Sequence, residues 1–427
     1  MTSKVGARNV KLVLAVAVVA IVVWFGSTAP GQAAIELRWA FWGGADDMAI
    51  NRQLAQAYEA THPGVKIVLL QESDYDTKVT TMIASNNPPD VMELAESFIS
   101  YASKGLLADL TPFIQRDKFD IDDFYAGVVR AYSYDNKVMA IPVRWGPMIQ
   151  YYNKDLFAEA GLREPDPETW TWDTFVAAGR KLTRLEGQKK QFAIASTGDW
   201  WPWWMTPIYQ NGGAVLSEDR KRCLMGEQAA VDALEWYQGL TWKEHIAPQP
   251  ADWAAFSGMG PDQLFENGRV AMNWTGFWAV YWLRLYKKVN WDVMFLPKGK
   301  VRATPLFSNG WAIPSSSPHK DQAWEFIKFL SSPEQQRVIA RSGHDVPVRK
   351  SVAQSAAFLD PNLAPSRLQL VLASAAHLYA PPTTPYWGQM LGLMGQEISA
   401  MLRNELTARQ AADRIVPAVN QLLSGGK

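Results

Sequence analysis

The chain holds a single cysteine, Cys223, in 427 residues. One cysteine excludes an internal disulfide framework and a cysteine-rich metal site. The five histidines (His62, His245, His319, His344 and His377) are scattered without metal-ligand spacing. Net charge is lacking too, with 42 basic residues against 42 acidic. That balance argues against a nucleic-acid or anionic-membrane partner. Beyond the N-terminus no run is apolar enough to span a membrane, which takes about 20 residues. Gly43-Gly44 and Gly212-Gly213 lack the spacing and the lysine of a phosphate-cradling loop. There is no internal repeat, and no cofactor is expected.

The N-terminus carries the one long apolar run. Lys4, Arg8 and Lys11 precede Leu12–Phe25, and small residues then lead to Gly31-Gln32-Ala33-Ala34. This matches the core and cleavage region of an export signal and is short for a membrane span. Residues 1–34 are therefore expected to be removed, leaving 39 basic residues against 42 acidic. Cys223 lies far from this region, which excludes a lipid-anchored start. About 390 residues then remain, enough for two domains at ~100–200 residues each. A soluble, monomeric exported protein is expected, periplasmic in a two-membrane bacterium.

What the chain has in plenty is tryptophan, 20 in all. Trp200, Trp201, Trp203 and Trp204 fall within five positions, and neither a helix stripe nor a strand alternation buries all four on one face. An indole costs little entropy to fix, offers a broad apolar face and keeps one N–H donor. Those properties suit the apolar face of a sugar ring, with polar groups around it reading hydroxyls. The competing reading is a thick aromatic core.

Ile35–Phe41 alternates like a strand and runs into the turn Trp42-Gly43-Gly44. A helical spacing follows through Ile50, Leu54 and Tyr58, then a strand at Val65–Leu70, a helix near 74–85 and a strand at Asp90–Leu94. This β-α-β-α-β order predicts an α/β fold with a parallel sheet flanked by helices. Ligands of such sheets bind beyond the carboxyl ends of the strands. Those ends place Trp42, Asp74, Tyr75, Glu93 and Glu96 together. Farther on, Val138–Val143 and Met148–Asn153 read as two strands meeting at a Gly146-Pro147 break, a candidate crossing between domains. Val293–Pro297 reads as a second crossing, and Phe307–Ile313 as a strand interrupted at Gly310. The C-terminal part reads as helical.

Several pieces, in this order, resemble the extracellular solute-binding proteins of ABC importers, in the family that includes maltose-binding protein. They include Trp39–Gly44, Tyr58–Ile67, Pro89-Asp90-Val91 with Gly105–Leu110, and Tyr152–Phe157 before Gly161-Leu162. Gly268–Met272 with Gly276 and Trp278, Asn309–Ile313, Ala323–Leu330 and Val346–Arg349 complete the set. The likeness spans essentially the whole chain after residue 34. It implies two α/β lobes, 35–146 with 298–346 and 147–297 with 347–427, and a ligand cleft between them. It further implies hinge closure on a carbohydrate, a di- or oligosaccharide, and delivery to membrane permease subunits without chemistry on the ligand.

On that resemblance Trp42 forms part of the cleft floor, and Glu93 and Glu96 stand where sugar-contacting polar side chains are common. Each carboxylate also has a plain reading as a solvated loop residue or helix cap. Arg144, on the crossing, has a fork of donors suited to hydroxyls, a carboxylate or a phosphate, or to an interdomain ion pair. Arg349 shares that ambiguity; both facing the cleft would point to an anionic ligand, such as a sugar phosphate or uronate, and a polyol or glycerol phosphate derivative is the alternative ligand. Trp200, Trp201, Trp203, Trp274 and Trp278 are candidate walls, with Trp278 implied at a stacking position. Asn309-Gly310-Trp311 offers an amide, a close backbone approach and an indole. Tyr386-Trp387 resembles the family's late aromatic wall.

A glycoside hydrolase built on Glu93 and Glu96 is the enzyme alternative, but a spacing of three residues does not establish the carboxyl separation such chemistry needs. A scaffold that binds protein through exposed indoles leaves the two-lobe pattern unexplained.

Overall fold

The computed structural model describes residues 34–186 and 190–425. The expected export signal up to residue 33 lies outside them. Among the described residues no helix is long and apolar enough to cross a membrane.

One sheet runs through the molecule in the order Val65–Gln71, Ile35–Phe41, Val91–Leu94, Thr304–Ala312, Ala140–Asn153, Val270–Gly276, Phe192–Ile194. Its first three strands are parallel and are joined by the helices Ala45–Thr61 and Tyr75–Ala84, as the alternating pattern requires. Thr304–Ala312 and Ala140–Asn153 pair antiparallel and carry the sheet from one lobe to the other. Phe192–Ile194 and Val270–Gly276 also pair parallel.

Alternation along Ile35–Phe41 decides which side chains meet which helices. Trp39 points to the side of the helices Ala45–Thr61 and Lys320–Leu330, edge-on to Trp311 at 5.1 Å and to Phe326 at 5.0 Å. Its neighbour Ala40 joins Tyr75, Met92, Phe98 and Tyr132 on the other side. A separate cluster fills the second lobe, around Trp204, Tyr237, Trp274 and the C-terminal helices Trp387–Leu402 and Ala408–Leu423.

The structure corrects two local expectations. Residues 140–153 form one unbroken strand, so Gly146-Pro147 makes no break. Pro147 stands where the strand changes partners: it is opposite Leu306, while Met148 is already opposite Gly276. A residue without an N–H costs nothing where one ladder ends and the next begins. The strand closes on Asn153, whose side-chain oxygen accepts from the N–H groups of Asp155 and Leu156 and starts the next helix.

The tryptophan run is the second correction, because it is helical. Trp201–Gln210 is a helix with Trp200 at its N-cap and Pro202 in its first turn, where proline is favoured. Residues three apart share a face. Trp201 and Trp204 are buried, and Trp200 and Trp203 are half-buried. Both faces are covered, which a single-stripe argument does not anticipate.

Candidate functional site

Three strand segments meet side by side at the centre of the molecule. Asn309 stands opposite Arg144, and Pro347 pairs with Arg144 from the other edge. A cavity of about 380 Å³ opens above them, within the ~300–1,000 Å³ range of small-ligand sites. The loop after the first strand contributes Trp42, the first turn of the helix Ala45–Thr61 contributes Asp47, and the loop after the third strand contributes Ala95 and Glu96. Trp200, Trp201, Trp278 and Trp282 come from the opposite lobe.

The aromatic wall is organised around Phe307 on the crossing strand Thr304–Ala312. Trp200 stacks on it at 5.6 Å with planes 5° apart, and Trp278 lies tilted at 4.9 Å. Trp201 sits edge-on at 5.9 Å and is backed by Trp387 at 5.8 Å. Gly276 makes this possible. A Cβ placed on it falls 2.0 Å from the Trp278 ring, so any other residue displaces that indole.

The polar floor is a charge cluster. Arg144 reaches Glu93 at 2.5 Å and Asp47 and Asp345 at 3.4 Å each. Glu93 is fully buried, and its Oε1 also accepts from the Asn309 amide at 2.9 Å. One amide N–H is thereby occupied, which leaves the second N–H to donate to a ligand and the Asn309 side-chain oxygen to accept from one.

Three carboxylates around one guanidinium act on one another through burial and charge. Burial pushes the Asp345 carboxyl up to about 7; Asp47 and Glu93 add to the rise and Arg144 opposes it. Glu93 is raised by burial, against the pull of Arg144. Burial opposes the charge on Arg144, but the carboxylates outweigh it and hold the side chain firmly protonated. His344, also on the cavity wall, is lowered by burial, with Asp47 opposing the fall and Arg144 adding to it. Glu96 is raised by burial, with Asp76 adding to the effect.

The expected site residues divide into two groups. Trp42, Glu96, Arg144, Trp200, Trp201, Trp278 and Asn309 line the one cavity. Behind them, Glu93 supports Arg144, and Tyr75 packs edge-on to Trp42 at 5.0 Å while donating its hydroxyl to the Ala40 carbonyl. Trp203 donates to the Trp274 carbonyl at 2.7 Å and braces Trp200. Trp387 backs Trp201.

The others stand apart from it. Trp274 is buried in the second-lobe core, donating to Gln150 at 3.0 Å. Trp311 is buried against Trp39. Gly310 lets Tyr132 approach, since a Cβ there falls 2.9 Å from its ring. Asp74 is an exposed helix N-cap residue, and Tyr386 is exposed at the start of the last helical pair. Arg349 is buried against Asp123 at 3.3 Å and lies over the Phe124 ring at 4.8 Å.

Reasoning from sequence missed Asp47, Trp282, Phe307, Ser308, His344 and Asp345 on the wall. Asp47 reads as a helix cap, and it is one: its Oδ2 accepts from the Gly44 N–H while Oδ1 faces Arg144. For Phe307 and Ser308 the signal was available, because they precede Asn309 on a strand already read from the sequence. His344-Asp345 carries no local pattern and reaches the site only through the pairing of Val346 with Trp145. No group of three or more potential metal ligands occurs among the described residues.

An interlobe cavity walled by indoles and floored by acids, with crossing strands beneath it, defines a two-lobe binding protein for a small solute. Residues 42–337 match the bacterial extracellular solute-binding protein family, and the chain belongs to that family. The lactose-binding protein of Rhizobium radiobacter is 25% identical over 305 residues, 68% of each chain. The ABC substrate-binding protein of Listeria monocytogenes in complex with cycloalternan gives a TM-score of 0.82 at 27% identity, over 92% of this chain and 99% of that one. The cyclic α-maltosyl-1,6-maltose binding protein of Arthrobacter globiformis gives 0.77 at 25% identity, over 92% and 100%. The α/β two-lobe fold that the resemblance implied is the fold of these proteins. They are binding proteins, and membership in an extracellular solute-binding family implies a solute ligand and an exported location.

Proposed function

We propose that this protein is the periplasmic substrate-binding component of an ABC importer. It binds an uncharged di- or oligosaccharide between its lobes and delivers it unchanged to the permease. The lobes comprise 35–146 with 298–346 and 147–297 with 347–427, after removal of residues 1–34 as an export signal. It acts as a monomer, without cofactor or nucleic acid.

The observation that carries the reading is the pairing of an indole wall with an acid-saturated floor. Trp200, Trp278 and Phe307 offer apolar faces for pyranose rings, while Asp47, Glu96, Asp345 and Asn309 offer acceptors for hydroxyls. Arg144 is already shared among three carboxylates. A phosphate or uronate would have to compete with all of them, and Arg349 is committed to Asp123. The charge pattern therefore favours a neutral ligand over a glycerol phosphate. Glu93, sealed beneath Arg144, cannot serve with Glu96 as an acid–base pair on one substrate.

The test is tryptophan fluorescence and thermal melting of the ligand-stripped protein against neutral sugars, polyols, uronates and glycerol phosphates. A saturable change and a raised Tm with neutral sugars alone supports the reading, since a ligand bound only by the native state must stabilise it. Tighter binding of an anionic member, or product formation during the titration, refutes it.

A further inference from the structure

A second cavity, of about 350 Å³, lies beside the first, and Ala95, Glu96 and Ser308 line both. The crossing strand Thr304–Ala312 divides them: Leu306 lines the second, Phe307 and Asn309 line the first, and Ser308 stands between. The near wall is rigid. The Tyr132 hydroxyl donates to the Ser308 carbonyl at 2.6 Å, and the Ser308 hydroxyl bonds back to it at 3.2 Å. The far wall is the loop Ala380–Thr383, held by Arg220, whose guanidinium donates to the Thr383 carbonyl at 2.7 Å.

The lining is amphipathic in the manner of a sugar unit. Phe98, Leu306 and Leu378 offer apolar surface, and Arg130 and Arg220 present donor forks from opposite walls. Glu96, shared by both cavities, has no ion-pair partner among the described residues and can accept hydroxyls from either side. Each cavity alone sits at the low end of the ~300–1,000 Å³ range for small-ligand sites, and together they reach its middle.

Resting on the carbohydrate reading above, we propose that the two cavities form one continuous site. The ligand is an oligosaccharide that starts against Trp278, passes Glu96 and ends between Arg130 and Arg220. The protein thereby selects trisaccharides and longer chains over disaccharides.

Gly127 supplies the test. It lines the second cavity in the short helix Ala126–Ala131, and a Cβ on it meets nothing within 4 Å. Gly127→Trp fills the space, and Gly127→Ala controls for the helix. The probes are maltose through maltopentaose and cellobiose through cellopentaose, by isothermal titration calorimetry of the full exported chain. In one series the tetraose is expected to bind native protein at least about tenfold tighter than the biose. Gly127→Trp abolishes that gain and leaves biose affinity within about twofold, while Gly127→Ala keeps it. Equal affinity along the series, or a gain that survives Gly127→Trp, overturns the continuous site while leaving the sugar-binding reading intact. Failure of every probe to bind overturns both.

Discussion

Asn309 and Arg144 face each other across two antiparallel crossing strands, and both side chains end on the same carboxylate oxygen of Glu93. A buried acid of one lobe thus sets the orientation of two groups on the crossing strands beneath the cavity. The cost of disturbing it is set by burial. An acid with no exposed surface cannot be left without its partner.

Arg144→Met leaves Glu93 unpaired and brings Asp47 and Asp345 together without a counter-charge. The expected loss is about 3–5 kcal/mol in urea unfolding. Adding Glu93→Gln should restore a large part of it, because the charge left behind is then gone. If the double variant is no more stable than the single one, the pair is not coupled as the distances state.

Asp345 gives a pH signature with a definite sign. Its carboxyl is raised from 3.8 to about 7 in the folded protein. The stability tied to its proton is present in full below pH ~4 and is lost as pH rises through about 7. Asp345→Asn keeps the neutral shape at every pH. It is expected to gain on the native protein as pH rises from 5 to 8, by an amount on the order of a few kcal/mol. Unfolding curves at three pH values decide this, and a constant difference would show that Asp345 is ionised throughout.

Gly276→Ala tests the aromatic wall without removing an aromatic. The new methyl occupies the position of the Trp278 ring. Sugar affinity should fall about tenfold or more, with a changed fluorescence response on saturation. Trp278→Ala should fall with it, and unaltered affinity in both would remove Trp278 from the site.

Trp274→Ala separates core from wall. This indole packs 5.2 Å from Phe175 and bonds to Gln150, so the cost should be about 3–5 kcal/mol of stability. Affinity per folded molecule should change little, the reverse of Trp278→Ala. Loss of affinity without loss of stability would place Trp274 at the ligand.

Much of the architecture was legible because it is local. The alternation at Ile35–Phe41, the helical spacing that follows and the strand at Val91–Leu94 each report burial on a repeat of two or 3.6 residues. The same reading failed at Gly146-Pro147. A proline there looks like a break, and only the neighbouring strands show that no ladder bond was needed at that point. It failed again at Trp200–Trp204, where the helix is covered on both faces, so periodicity carries no signal.

The site divides along the same line. Trp42, Glu96, Arg144, Trp200, Trp201, Trp278 and Asn309 were accessible from the chain, as strand-end, crossing or aromatic residues. Trp274 and Trp311 have the same chemistry and flank glycines in the same way, yet they lie in cores. Strand alternation sends them inward, and sequence alone does not say which face of a crossing strand the cleft occupies. Composition and pattern by themselves determined an α/β chain with one cysteine and an excess of tryptophan. Tertiary structure alone decided that His344 and Asp345 join the wall and that Arg144 is neutralised. Those outcomes depend on carboxylates far apart in the chain converging within a few ångströms of one guanidinium, where burial, not sequence distance, sets the strength of their interaction.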